Sequence, residues 1–154
     1  MTDSDIPRAH LVGINHVALE VDDIEAALDF YGSIFEFELR GQTEAAAFLD
    51  MGDQFLAVTE TDESSNNGDD HRHFGLVVDD PTTVERRLEE LDVEWLSIQG
   101  LDFRDPWGNR VQIVGYEEIQ FTKADHILEA MELSDLEKSE AAIAELSEKG
   151  MAPE

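Results

Sequence analysis

Apolar and polar residues alternate in short runs along most of the chain and twice give way to helical spacing. The whole pattern occurs in duplicate. His16-Val-Ala-Leu-Glu-Val-Asp-Asp23 is echoed by His73-Phe-Gly-Leu-Val-Val-Asp-Asp80. Each copy reads as a strand, because alternation with period two puts successive side chains on opposite faces. A helical stretch follows each strand. Ile24, Ala27, Leu28, Tyr31 and Phe35 recur near 3.6-residue spacing, with Asp22 or Asp23 placed to cap the N-terminus. In the second copy Pro81 suits the first helical position, ahead of Val84, Leu88 and Leu91. Three further strand-like runs follow each helix, at 35–40, 45–51 and 54–59, then at 93–98, 101–104 and 110–115. Gly52-Asp53 and Trp107-Gly108-Asn109 supply the last turn of each half.

The order is therefore βαβββ, twice. The predicted fold is α+β: tandem modules form an open, curved mixed sheet around a cavity, with helices appended at the C-terminus. Residues 1–10 read as an N-terminal tail, and 11–116 as the duplicated domain. Its modules span about 11–61 and 71–116, joined by a polar linker at 62–70. Residues 117–154 form a helical extension, with amphipathic stretches at 123–131 and 136–148, Ser134 as a cap and Gly150 as a stop. Their apolar stripes suit packing against the sheet or a second subunit, with a lid as the alternative.

Parity assigns the strand faces. Val17, Leu19 and Val21 belong under the helix, which leaves His16, Ala18 and Glu20 on the opposite side. Phe74, Leu76 and Val78 likewise leave His73, Gly75 and Val77 opposite. Both histidines are thus expected on faces that line one shared pocket, and two imidazoles there are a nucleus for a divalent ion. Phe55, Ala57 and Thr59 share a face in the first half, and Arg110, Gln112 and Val114 face the cavity in the second. Glu20, four residues beyond His16 on the same face, is a candidate general base; pointing into solvent is its alternative. Arg104 and Arg110 are candidates to hold a substrate carboxylate or phosphate, or else to pair with a nearby aspartate. Trp107 reads as a packing residue of its turn, His71 and Arg72 as linker surface, and His10 and His126 carry no motif.

Charge narrows the classes. Thirty-seven acidic residues against ten Lys+Arg give a net charge of −27. That excludes a nucleic-acid or anionic-membrane binder, since neutralising phosphate needs clustered cations. Only Lys123, Lys138 and Lys149 are lysines, and such an acidic surface suits a salt-filled cytoplasm, where a Debye length of about 3 Å at molar salt screens self-repulsion. No apolar run approaches the roughly 20 residues that span a bilayer. The N-terminus has no signal-peptide pattern, so a cytoplasmic protein is expected. With no cysteine, disulfides and thiolate chemistry are excluded.

Ile14-Asn-His-Val-Ala-Leu, the echo from His73, and Asp105-Pro-Trp-Gly-Asn-Arg-Val-Gln-Ile-Val together resemble the vicinal oxygen chelate superfamily over roughly residues 10–116. That group includes glyoxalase I, extradiol dioxygenases, fosfomycin-resistance enzymes, methylmalonyl-CoA epimerase and metal-free bleomycin-binding proteins. The resemblance implies metal ligands at His16, His73 and Gln112, the last standing where the family has glutamate. The fourth position, used by the glyoxalase branch, falls on Ala57. It further implies a small-molecule ligand, a homodimer, and a divalent ion (Zn, Ni, Mn or Fe) or none. The implied function is a glyoxalase-like, metal-dependent lyase or isomerase acting on a small oxygen-rich substrate. A metal-free binding protein of the bleomycin-resistance type, with Phe55, Ala57 and Val77 lining the pocket, is the alternative. An extradiol dioxygenase is disfavoured by Gln112, because that chemistry wants two histidines and a carboxylate.

Overall fold

A computed structural model of the chain describes residues 14–62, 73–96 and 100–153. The N-terminal tail with His10, the linker from 63 with His71 and Arg72, and the end of the 93–98 run lie outside the described residues. The first module is β1 (His16–Val21), α1 (Ile24–Ile34), β2 (Leu39–Gln42), β3 (Ala46–Asp50) and β4 (Phe55–Glu60). The second is β5 (Phe74–Val78), α2 (Pro81–Glu90), β6 (Leu101–Arg104) and β7 (Arg110–Gly115). A single 3₁₀ turn at Tyr116–Glu118 leads to α3 (Asp125–Ala130) and α4 (Glu140–Glu148).

Among the described residues the strands form two open mixed sheets, one per module, ordered β1-β4-β3-β2 and β5-β7-β6. In each, the first strand of the module runs parallel to the last, and the intervening strands are antiparallel. The duplication is therefore preserved in topology, with β1 and β5 as equivalent edge strands. The modules differ at one place. In the run expected as a strand over 93–98, the described residues 93–96 contribute a bridge between Trp95 and Phe103, with the Leu96 N–H donating to Asp102 O at 2.9 Å. In the first half the run expected at 35–40 starts later, because Phe35 closes α1 by donating its N–H to Tyr31 O, and Phe35 and Phe37 pack into the core.

The second aspartate of each echoed pair caps its helix. Asp23 accepts from Ala26 N at 3.1 Å, and Asp80 accepts from Thr82 N at 3.1 Å and the Thr83 hydroxyl at 2.8 Å. Those bonds, led by the one from Thr83, hold the Asp80 carboxyl below the usual range. In the extension, Ser139 rather than Ser134 is the cap: its Oγ accepts from Ala142 N at 3.1 Å, and α4 begins at Glu140 rather than at 136. The stretch before it is drawn into turns, with Leu136 N–H bonded to Leu133 O and Ser139 N–H to Glu117 O.

Two apolar clusters form the core. One gathers Leu19, Val21, Ala27, Tyr31, Leu49, Leu56 and Val58, and the other Ile34, Val84, Leu88, Phe103, Val111 and Ile113. Phe30, Phe35 and Phe74 pack against both, so α1 and the start of β5 join the modules.

A polar joint lies beside them at the β6–β7 turn. Asp105 is buried and accepts four hydrogen bonds: from Tyr31 Oη at 2.7 Å, Trp107 N at 3.0 Å, Asn109 N at 2.8 Å and Asn109 Nδ2 at 2.9 Å. Gly108 takes φ 85°, a left-handed conformation that glycine accepts without steric cost and that lets the turn close around this carboxylate. Trp107 is buried, as a packing role requires, and donates from Nε1 to Asp22 of the first module. Asn109 Nδ2 also donates to Glu20 O at 3.2 Å.

Candidate functional site

The strand faces turned away from the helices carry the candidate chemistry. On β1, His16, Ala18 and Glu20 are exposed, while Leu19 and Val21 are buried. Across the parallel ladder these three pair with Phe55, Ala57 and Thr59 of β4, and β3 adds Asp50, Phe48 and Ala46 in the next register. In the second module Gly75 pairs with Gln112 and Val77 with Val114, while Asp102 lies opposite Gln112 and Arg104 opposite Arg110. His73 stands one residue ahead of β5 and is exposed. The two histidines thus occupy equivalent places at the starts of edge strands, in separate sheets, and both remain exposed in the single chain.

His16 is held by Phe55 and Asn15. Its ring stacks on Phe55, with centroids 4.7 Å apart and planes 9° from parallel. Phe48 meets Phe55 edge-on at 5.7 Å, and the Arg40 guanidinium lies 4.7 Å from the centre of the same ring. His16 Nδ1 donates to Asn15 Oδ1 at 2.8 Å. With Nδ1 as the donor, Nε2 is the ring nitrogen that carries the lone pair, the arrangement an outer partner gives a metal-ligating imidazole. Neither Asn15 nor Arg40 was singled out from the sequence. The signals available were the place of Asn15 beside the strand-opening histidine and the scarcity of arginine.

The other candidates are placed less uniformly. Glu20 has an exposed side chain and a carbonyl tied to Asn109. Ala57 is buried and contributes no donor; Gln112 is half-buried. Arg110 is taken up by Asp102, with Nε and Nη2 donating to Oδ2 at 2.9 and 2.6 Å and side-chain exposures of 3% and 0%. Arg104 donates to Gly108 O at 2.9 Å. Of the two roles open to Arg110, the ion pair with a neighbouring aspartate is the one the structure realises.

By donor chemistry alone, two imidazoles and one amide oxygen brought together would form a neutral set of the kind that accepts Zn or Ni, weaker than a set containing a carboxylate. Among the described residues no three of His, Cys, Asp and Glu converge. Elsewhere a cleft of about 330 Å³ lies between the β3–β4 turn and α3, lined by Asp50, Gly52, Asp53, His126, Ile127, Ala130 and Met131. No helix among the described residues is long and apolar enough to cross a membrane.

Comparison with known proteins supplies the wider context. Residues 13–113 match the family model described as Glyoxalase/Bleomycin resistance protein/Dioxygenase superfamily. Over 115 residues the chain is 24% identical to the metallothiol transferase FosB of Bacillus licheniformis, covering 67% of this chain and 75% of that protein. A lactoylglutathione lyase structure from Agrobacterium tumefaciens superposes with a TM-score of 0.53 at 25% identity, covering 70% of this chain and 96% of that one. The fosfomycin resistance protein FosX of Listeria monocytogenes gives 0.57 at 18% identity, covering 69% and 92%, and speaks to the fold.

Proposed function

The chain belongs to the glyoxalase/bleomycin resistance protein/dioxygenase superfamily, and on that premise we propose that it is a metal-dependent lyase or isomerase acting on a small, oxygen-rich substrate. The observation that carries this reading is the His16 ring, clamped against Phe55 and bonded through Nδ1 to Asn15 so that Nε2 is presented as a ligand. His16, His73 and Gln112 would hold the ion. When bound, such an ion polarises substrate oxygens and acidifies a neighbouring C–H bond.

The chain's own groups complete the chemistry. Glu20 shares the exposed face of β1 with His16 and takes the substrate proton, at a carboxylate whose backbone is anchored by Asn109. Gly75, exposed on β5, leaves that face open where a longer side chain would fill it. Because both faces are exposed in one chain, a second copy is the partner that encloses the site, which makes the working form a homodimer. The names of FosB and of the lactoylglutathione lyase support a small-molecule substrate of this kind.

The discriminating assay is turnover of a hemithioacetal substrate by wild type and Glu20→Gln, with Ni²⁺ binding followed in parallel. Loss of turnover with retained Ni²⁺ binding is expected. Full turnover by Glu20→Gln contradicts the role of the base. The absence of a carboxylate at both Ala57 and Gln112 favours a second reading, a metal-free binding protein whose pocket uses Phe55, Ala57 and Val77. It predicts Ni²⁺-independent uptake of aromatic ligands.

A further inference from the structure

The lysines of this chain are confined to the segment beyond the matched residues, and each ties that segment down. Lys138 Nζ donates to Tyr116 O at 2.7 Å, Ile119 O at 2.8 Å and Phe121 O, and lies 3.6 Å from the centre of the Tyr116 ring. Lys149 Nζ donates to Gln120 Oε1 at 2.6 Å. Lys123 alone among them reaches into the first module, where it pairs with Asp53 and keeps only 9% of its side chain exposed.

The turn that Lys123 grips leads directly to His16. Residues 51–54 connect β3 to β4 and are bracketed from two sides. Arg40 donates to Asp50 Oδ1 at 3.3 Å, Gly52 O at 3.0 Å and Gln54 O at 3.5 Å from one side. Lys123, Ile127 and Met131 close the other side. Gly52 sits there at φ 89°, a left-handed conformation that strains any side chain, and packs against the Met131 thioether, which would have to shift to admit a Cβ. From the turn, Gln54 Nε2 donates to Ile14 O at 2.8 Å and Phe55 N to Asn15 O at 3.2 Å. The next contact is the Phe55–His16 stack itself.

We infer that Lys123 is a positioning residue: through Asp53 and the 51–54 turn, the C-terminal extension holds Phe55 against His16 and so sets where the imidazole points. The inference deepens the proposed function, since it gives the extension a task at the same site. It does not depend on an ion being bound.

The test is ¹H–¹³C NMR of the histidine side chains in the metal-free, full-length protein, with His16 assigned from His16→Gln. Stacking on Phe55 displaces the His16 ring protons upfield, and Phe55→Leu supplies the undisplaced reference. Lys123→Gln is expected to move the His16 signals toward that reference, and Lys123→Arg to restore them. Lys149→Gln, which cuts a different tie of the same extension, is expected to leave them in place. Ni²⁺ affinity of Lys123→Gln should fall about tenfold, the lower end of the range for groups outside the ligand shell. Unchanged His16 signals in folded Lys123→Gln overturn the inference. If that variant does not fold, Met131→Ala, which loosens the same turn without removing charge, is read in the same two ways. Wild type that takes up no Ni²⁺ refutes the metal reading instead, and the ring displacement still decides the positioning role.

Discussion

Tyr31, wholly buried on α1, donates its hydroxyl to Asp105 Oδ2 at 2.7 Å and thereby joins the first module to the β6–β7 turn of the second. The motif turn beginning at Asp105 thus works as an inter-module joint as well as a strand connection. Tyr31→Phe removes one donor from a buried carboxylate and should cost about 1.5–3 kcal/mol, the range for hydrogen bonds to charged groups, measured by urea unfolding.

The same tyrosine predicts an alkaline limit. Burial first, then the charge of Asp105 and the bond to it, raise the phenol well above its ordinary value. The unfolded phenol ionises near pH 10, so the stabilisation is complete below about pH 10 and declines above it as only the unfolded chain loses the proton. Tyr31→Phe should flatten that decline in unfolding curves taken between neutral and strongly alkaline pH.

Asp102 and Arg110 form a buried ion pair beside Gln112. Removing either partner takes this pairing from the other buried charge, so Asp102→Asn and Arg110→Met should each destabilise by about 3–5 kcal/mol. The double variant should lose less than the sum of the two. Additive losses in a double-mutant cycle would contradict this account of the pair.

Acid should loosen the extension. The hydrogen bond from Lys123, ahead of its charge, lowers the Asp53 carboxyl from its ordinary value. A lowered carboxylate stabilises the fold above its unfolded pKa of about 3.9 and loses that contribution as pH falls through the folded value. The stability difference between wild type and Lys123→Gln should therefore shrink as pH drops below about 4, measured by denaturant unfolding across that range.

Much of this was legible in the sequence because the signals were local. The echo from His16 and His73 fixed the two parallel-edged modules, and period-two alternation separated buried Leu19 and Val21 from exposed His16, Ala18 and Glu20. What escaped depended on neighbours in space. Arg110 reaches Asp102 on a diagonal between antiparallel strands, a choice among many acidic residues that composition leaves open. The 93–98 run has strand-like residues, yet among those described, 93–96, Trp95 alone finds a bridge partner. Ser134 and Ser139 are equally good caps in isolation; the Glu117 carbonyl, which fixes Ser139 N–H, decides between them. Arg40 matters through the turn it brackets, which lies a strand away.

Gln112 offers the cleanest gain of function. An amide brings a dipole where a carboxylate would bring charge, so Gln112→Glu should bind Ni²⁺ or Zn²⁺ more tightly, in calorimetry at fixed high salt. Weaker binding by this variant would mean that position 112 does not face the ion.

The claim beneath the metal-dependent reading is that the duplicated strands present His16 and His73 to a common ion. Elemental analysis of protein purified at high salt, without chelators or nickel resin, tests it most directly. One divalent ion per chain in wild type, lost in both His16→Ala and His73→Ala, is the predicted result. A content far below one ion per chain, or one unchanged by either substitution, contradicts it.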